Sequence, residues 1–125
     1  MAQNPETRQA QNPALLAVGA RPDVLIWRQQ SGVFRSYDDP SRIVRVGVPG
    51  MADAGAIVAV TITPEMVGKT IGVAVQPEFK TAKGTQREKQ ANWQAAVEQR
   101  GGVYALVRSD SEMLQLVERV QRGYF

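Results

Sequence analysis

A chain of 125 residues suits a single domain spanning its whole length, and that size buries about two-thirds of the unfolded surface without covalent staples. Cysteine and histidine are both absent, which excludes disulfides, Cys/His zinc sites, thiol nucleophiles and any Ser-His-Asp triad, so catalysis would rest on carboxylates, lysine, amides or hydroxyls. The net charge of +3, from 15 basic and 12 acidic side chains, permits a polyanionic partner without requiring one. No apolar run reaches the ~20 residues of a membrane span and the polar start has no signal-peptide pattern, so a soluble, intracellular protein with no membrane partner is expected.

In chain order, Met1–Pro5 reads as a frayed end and helical character begins near Glu6. Asn12-Pro13 then allows either a kinked helix from Glu6 or a short one over 13–18, because proline suits the first turn after an Asn cap and disrupts an interior one. Val24–Trp27, Val33–Tyr37 and Ile43–Val46 read as strands, the last two separated by the turn residues Asp38-Asp39-Pro40-Ser41. A glycine-rich approach, Gly47 to Gly55, leads into a strand over Ala56–Thr63 and presents Asp53 at a sheet edge. Thr63-Pro64-Glu65 opens one helical turn, and Gly68-Lys69 returns the chain into an apolar run from Thr70 to Lys80.

That run ends in Pro77-Glu78-Phe79-Lys80-Thr81. With a two-residue period, Glu78 and Lys80 share one face and Phe79 takes the other, so a carboxylate and an ammonium project side by side. Desolvating such a pair costs several kcal/mol per ion unless geometry recovers it, which makes the pair a candidate site. Antiparallel pairing of this strand with Ala56–Thr63 would bring Asp53 toward Glu78. Thr85-Gln86-Arg87-Glu88 reads as a capping box for a helix running to Arg100 and stopping at Gly101-Gly102, with Trp93, Ala96 and Val97 inward and Gln90 turned toward the sheet. Val103–Val107 reads as a buried strand. Ser109 to Glu112 is a second capping box, opening a helix with Met113, Leu114, Leu116, Val117 and Val120 inward. Tyr124 and Phe125 are left for some other surface, such as a second subunit, to cover.

The order helix, strands, helix, strand, helix describes a small α/β sandwich, a mixed central sheet flanked by helices. Within it the ordered series Gly47-Val48-Pro49-Gly50-Met51-Ala52-Asp53, Glu78-Phe79-Lys80 followed by Thr81-Ala82-Lys83-Gly84, Gln90 with Trp93, and Gly101-Gly102 before an apolar strand resembles the virus-type replication-repair nuclease (VRR-NUC) family of the PD-(D/E)XK nuclease superfamily. The resemblance extends from about Trp27 to Val117.

It implies a Mg²⁺- or Mn²⁺-dependent endodeoxyribonuclease. Asp53, Glu78 and the backbone carbonyl of Phe79 correspond to the metal ligands, and Glu6 is the candidate for an acidic residue that many members carry on the first helix. Lys80 corresponds to the lysine that orients the attacking water and steadies charge on the phosphate, and Gln90 to the helix amide beside it. Arg28-Gln29 stands in place of a common Arg-Asn pattern and, with Lys83, Arg87 and Lys89, would contact DNA phosphates. Stand-alone members resemble Holliday-junction resolvases and act as homodimers. Branched DNA and the cytoplasm of a bacterial or phage-infected cell are therefore the expected partner and place. Two positions depart from the family pattern: Pro77, which cannot donate to a ladder and points to a bulge or edge strand, and Phe79 in place of a β-branched residue.

Each residue also has a plainer reading: Asp53 as a turn aspartate, Glu78 and Lys80 as a solvated edge pair, Gln90 as a cap, and the remaining cations as solubilising charge. A module that binds branched or single-stranded nucleic acid without cutting it is the competing function, and a structural oligomerisation protein the third.

Overall fold

Helix formation starts at Asn4-Pro5. Asn4 Oδ1 accepts a hydrogen bond from the Glu6 N–H (2.8 Å), and the first helical bond runs from the Arg8 N–H to the Asn4 carbonyl (3.1 Å). A π-helical segment over Thr7–Gln11 follows and passes directly into helix α1, Asn12–Gly19. Pro13 therefore lies inside a continuous helical stretch, the longer of the two arrangements the sequence allowed. The wider turn, closed by the Asn12 N–H on the Thr7 carbonyl, accommodates the ring that would otherwise strike the preceding turn. The computed structural model describes residues 4–125. The frayed end expected over Met1–Pro5 lies outside the described residues for its first three positions, and Pro5 is already helical.

The strands are β1 (Val24–Arg28), β2 (Gly32–Arg35), β3 (Ile43–Val46), β4 (Ala54–Val58), β5 (Val75–Phe79) and β6 (Val103–Val107). Among the described residues they form three two-stranded ladders, β1 with β4, β2 with β3 and β5 with β6, in place of the one mixed central sheet expected. The general α/β class holds. The expected antiparallel pairing of β4 with β5 is absent among the described residues: β4 pairs with β1 and β5 with β6, each leaving its second edge open. The chain divides into two compact units, one comprising the chain up to Arg21 with Ile26–Ala56, the other Pro22–Leu25 with Ile57–Phe125. The division passes through both β1 and β4.

In the first unit β2 and β3 form an antiparallel hairpin with Gly32 opposite Val46 and Arg35 opposite Ile43. Its loop is tied by Asp39 Oδ1, which accepts from the Ser41 hydroxyl (2.6 Å) and N–H (3.1 Å). The Gln29 N–H donates to the Asp53 carbonyl (2.9 Å) at the entry to β4. Gly55 lets Trp27 and Gln29 cross β4 closely: a Cβ there would come within 2.8 Å of the indole and of Gln29 Oε1. In the second unit the Ala59 N–H donates to the Asp23 carbonyl (2.8 Å). The strand expected to reach Thr63 stops near this bond because its partner begins at Val24, and Val60 and Ile62 beyond it are exposed.

The rest of the second unit is a β-α-β crossover with one further helix. β5 and β6 are parallel, with Val75 opposite Val103 and Phe79 opposite Val107, joined by helix α2 (Glu88–Gln99) and followed by helix α3 (Asp110–Gln121). Odd-numbered strand residues face α3, where Val103, Val107 and Leu116 are buried with Val75, Ala105, Met113 and Val120 around them. Even-numbered residues face α2, where Trp93 Nε1 donates to Gln76 Oε1 (3.3 Å) and Val97 is fully buried. Each such buried aliphatic side chain contributes about 1.5–3 kcal/mol. The α3 stripe is narrower than its spacing suggested: Leu116 is buried, whereas Leu114 and Val117 lie on the exposed side.

Gly101 and Gly102 end α2 for two separate reasons. Gly101 adopts φ +85°, and the Gly102 N–H reaches back to the Val97 carbonyl (3.0 Å) in a position where a Cβ would lie 2.8 Å from Val97 Cγ1. At the start of α3, Ser109 Oγ accepts from the Glu112 N–H (3.1 Å), and Glu112 Oε2 accepts from the N–H of Arg108, one residue earlier than a reciprocal box requires. The start of α2 differs more from expectation. Its N-cap is Arg87, not Thr85, and Gln90 Oε1 accepts from the Arg87 N–H (3.0 Å), taking the part assigned to Glu88.

Candidate functional site

Glu78 is the next-to-last residue of β5, and Lys80 directly follows the strand with its N–H donating to the Val107 carbonyl (3.0 Å). The Val103 N–H donates to the Ala74 carbonyl (2.9 Å) at the other end, so even-numbered residues of β5 make the ladder bonds. Two consequences follow from that alternation. Pro77 directs its N–H-less nitrogen to the open edge of β5, where the ladder loses nothing, so the register continues without a bulge. The Phe79 carbonyl also points to the open edge and takes no part in the β5/β6 ladder.

The side chains of Gln76, Glu78 and Lys80 alternate onto the α2 face. Because α2 returns antiparallel to the strands, Trp93 stands over Gln76 and Gln90, three residues earlier, lies toward the carboxyl end where Glu78 and Lys80 are. Glu78, Lys80 and Gln90 are all half-buried. Strand alternation and the run of α2 therefore put all three toward the carboxyl end of a parallel strand pair, the edge at which open α/β sheets present ligand sites. Gln90, turned toward the sheet, was expected to need a polar partner; its carbonyl oxygen has one at the Arg87 N–H, the N-cap of its own helix.

In the first unit Asp53 occupies a bend just before β4. Asp53 and Glu6 line one groove of about 400 Å³, whose floor includes Leu15, Ile26 and Ala54. Both carboxylates are exposed. Glu6, the sequence candidate on the first helix, thereby lines the same groove as Asp53. The sequence reasoning that joined Asp53 to Glu78 ran through the β4–β5 pairing, which is corrected above; Asp53 belongs to the first unit and Glu78 to the second.

The expected phosphate contacts are placed unevenly. Arg28 donates through Nη2 to Asn12 Oδ1 and so ties β1 to α1, while Gln29 is half-buried against Gly55. Lys83, Arg87 and Lys89 are exposed on the turn before α2 and its first residues. Comparison with protein-family models, with curated proteins and with solved structures gives no match.

The donor chemistry fits a hard divalent cation. In the second unit Glu78 and the Phe79 carbonyl offer only oxygen, the donor type that Mg²⁺ and Mn²⁺ prefer; Asp53 and Glu6 do the same separately in the first. Among the described residues no three acidic side chains form a single cage. Mg²⁺ ordinarily keeps several waters and takes one or two carboxylates, so a sparse set is compatible with it. One residue that sequence reasoning passed over belongs to this edge. Arg108, directly after β6, donates from Nη1 to the carbonyls of Thr81 (2.6 Å) and Gly84 (2.8 Å), the turn that follows Lys80. Nothing local in the sequence pairs residue 108 with residues 81 and 84; only the parallel ladder does.

Proposed function

We propose that this protein is a metal-dependent, structure-specific DNA endonuclease of the VRR-NUC type, hydrolysing phosphodiester bonds in branched DNA and acting as a homodimer on four-way junctions. The observation that supports the reading most is the parallel pairing of β5 with β6, whose alternation turns Glu78 and Lys80 toward the helix that carries Gln90. The ordered series of motifs from Gly47 to Gly102 supports it, as does the all-oxygen donor set. A bound Mg²⁺ or Mn²⁺ would neutralise the phosphate and acidify a water. Within the second unit, Glu78 and the Phe79 carbonyl would ligate it. Lys80 would hold its ammonium against the scissile phosphate as charge develops there, and Gln90 would orient the attacking water through its amide N–H₂. Lys83, Arg87 and Lys89 would engage flanking phosphates and make affinity fall with salt. A two-fold dimer would present two such sites to the paired strands of a junction.

One observation favours a second reading, a module that binds branched or single-stranded nucleic acid without cutting it: the Gln90 carbonyl oxygen is already committed to the α2 cap. Purified protein incubated with labelled four-way junction, flap and linear duplex separates the two. Cutting that requires Mg²⁺ or Mn²⁺, stops in EDTA and falls at least about 10²-fold in Lys80→Ala and Glu78→Ala is the expected result. Junction binding that persists in all three proteins, with no product from any, replaces the nuclease by the module.

A further inference from the structure

We propose that Arg108 is a positioning residue for the Lys80 amine, acting through the Thr81–Gly84 turn. The inference rests on the nuclease reading for its consequence in catalysis, but its structural part stands on geometry alone. Lys80 and Arg108 are the first residues beyond β5 and β6, adjacent across the end of the parallel ladder, which the Lys80 N–H closes on the Val107 carbonyl. Arg108 Nη1 uses its two hydrogens on the carbonyls of Thr81 and Gly84. Those same residues close the turn themselves, the Gly84 N–H donating to the Thr81 carbonyl (3.1 Å). The turn in turn lies on the lysine stem: a Cβ built on Gly84 would stand 3.3 Å from Lys80 Cβ and 3.4 Å from Lys80 Cδ. Guanidinium, turn and stem thus form one contiguous stack, and Lys80 is half-buried while Lys83, within the turn, and Lys89, just beyond it, are exposed.

A lysine amine ends a flexible stem with several rotatable bonds, so a site that needs it in one place must restrict that stem. Charge-assisted hydrogen bonds from a guanidinium to two carbonyls fix the turn more firmly than its single backbone bond would. Removing the guanidinium exposes the two carbonyls to water at a surface loop, which the fold tolerates. It also frees the lysine. Gly84→Ala presses a Cβ directly onto the same stem from the turn and keeps the carbonyls that Arg108 bonds.

The test compares the full-length chain with Arg108→Ala, Arg108→Lys and Gly84→Ala, using peptide-mapped acylation of Lys80 by an amine-reactive ester alongside junction cleavage with Mg²⁺. Lys69 and Lys89 serve as exposed references in the same molecule. In Arg108→Ala, Lys80 acylation rises at least about tenfold against the references, the factor that loss of even one of the two charge-assisted hydrogen bonds allows. Its kcat falls about 10²-fold with KM nearly unchanged, the signature of a reacting group displaced by about 1 Å. Arg108→Lys, which keeps a cation on a shorter reach without the planar fork, recovers part of both effects, and Gly84→Ala lowers kcat with circular dichroism unchanged.

Unchanged Lys80 acylation in Arg108→Ala overturns the proposal, even if the unaltered protein cuts DNA. So does a variant whose KM and salt dependence change while kcat holds, since that makes Arg108 a phosphate contact. If the unaltered protein cuts nothing yet Lys80 becomes more reactive in Arg108→Ala, the nuclease reading fails and the placement of the amine by Arg108 stands.

Discussion

The β2–β3 hairpin of the first unit and the β5–α2–β6–α3 segment of the second obey the same backbone rules over very different interiors. Every residue of β2 is exposed, including Val33 and Phe34, whereas β6 buries Val103, Tyr104 and Val107. All the buried apolar side chains among the described residues belong to the second unit. Hydrogen bonds give both regions their shape. Net stability comes mostly from apolar surface removed from water, because each protein hydrogen bond replaces one made to solvent. The hairpin is held by polar ties, Asp39 to Ser41 and the Arg35 guanidinium to the Pro40 carbonyl, that lie in solvent. It should open locally at lower free energy than the crossover, and hydrogen exchange would rank the two in that order.

Core truncation gives the strongest contrast. Leu116→Ala should lower stability in a denaturant titration by about 2–5 kcal/mol, because it empties a packed position between α3 and β6. Phe34→Ala on the hairpin should change it by no more than about 0.5 kcal/mol. Similar losses at the two sites would erase the distinction between the regions.

Glycine substitutions sharpen it with a smaller effect. Gly102→Ala sets a Cβ against Val97 Cγ1 and the Val97 carbonyl, an overpacking expected to cost about 1–3 kcal/mol in thermal unfolding. Gly50→Ala in the first unit meets only open space, so its penalty is the left-handed backbone (φ +82°) alone, about 1 kcal/mol. Reversal of that order would show that conformation, not packing, limits the second unit.

The smallest effect is electrostatic and confined to the hairpin loop. The Ser41 hydroxyl, and after it the Ser41 N–H, hold the Asp39 carboxyl below its ordinary value. A depressed carboxyl contributes stability that is fully present above the unfolded-state value and disappears as pH falls through the folded one. NMR titration of the carboxyl carbon should therefore show Asp39 ionising below an ordinary aspartate, and Ser41→Ala should move it back up. Amide exchange in the loop should quicken at acid pH, with no change in α2 or α3.

Local chemistry carried much of this into the sequence. The Ser109 cap, the Gly101-Gly102 stop, the turn at Asp38 to Ser41 and the apolar strand over Val103–Val107 were readable because each depends on contacts within a few residues or on simple periodicity. Of the bulge or edge strand to which Pro77 pointed, the unbroken register gives the edge. Which strand joins which was not readable. The apolar pattern of β4 fits β1 as well as β5, and only packing chose β1 for it and β6 for β5, so the route by which the sequence linked Asp53 to Glu78 did not survive. The α2 start moved to Arg87 because two capping pairs, Thr85 with Glu88 and Arg87 with Gln90, competed within one stretch. Arg108 stayed silent for a related reason. Its partners lie 24 and 27 residues earlier, and a contact across that span exists only once the parallel ladder has formed.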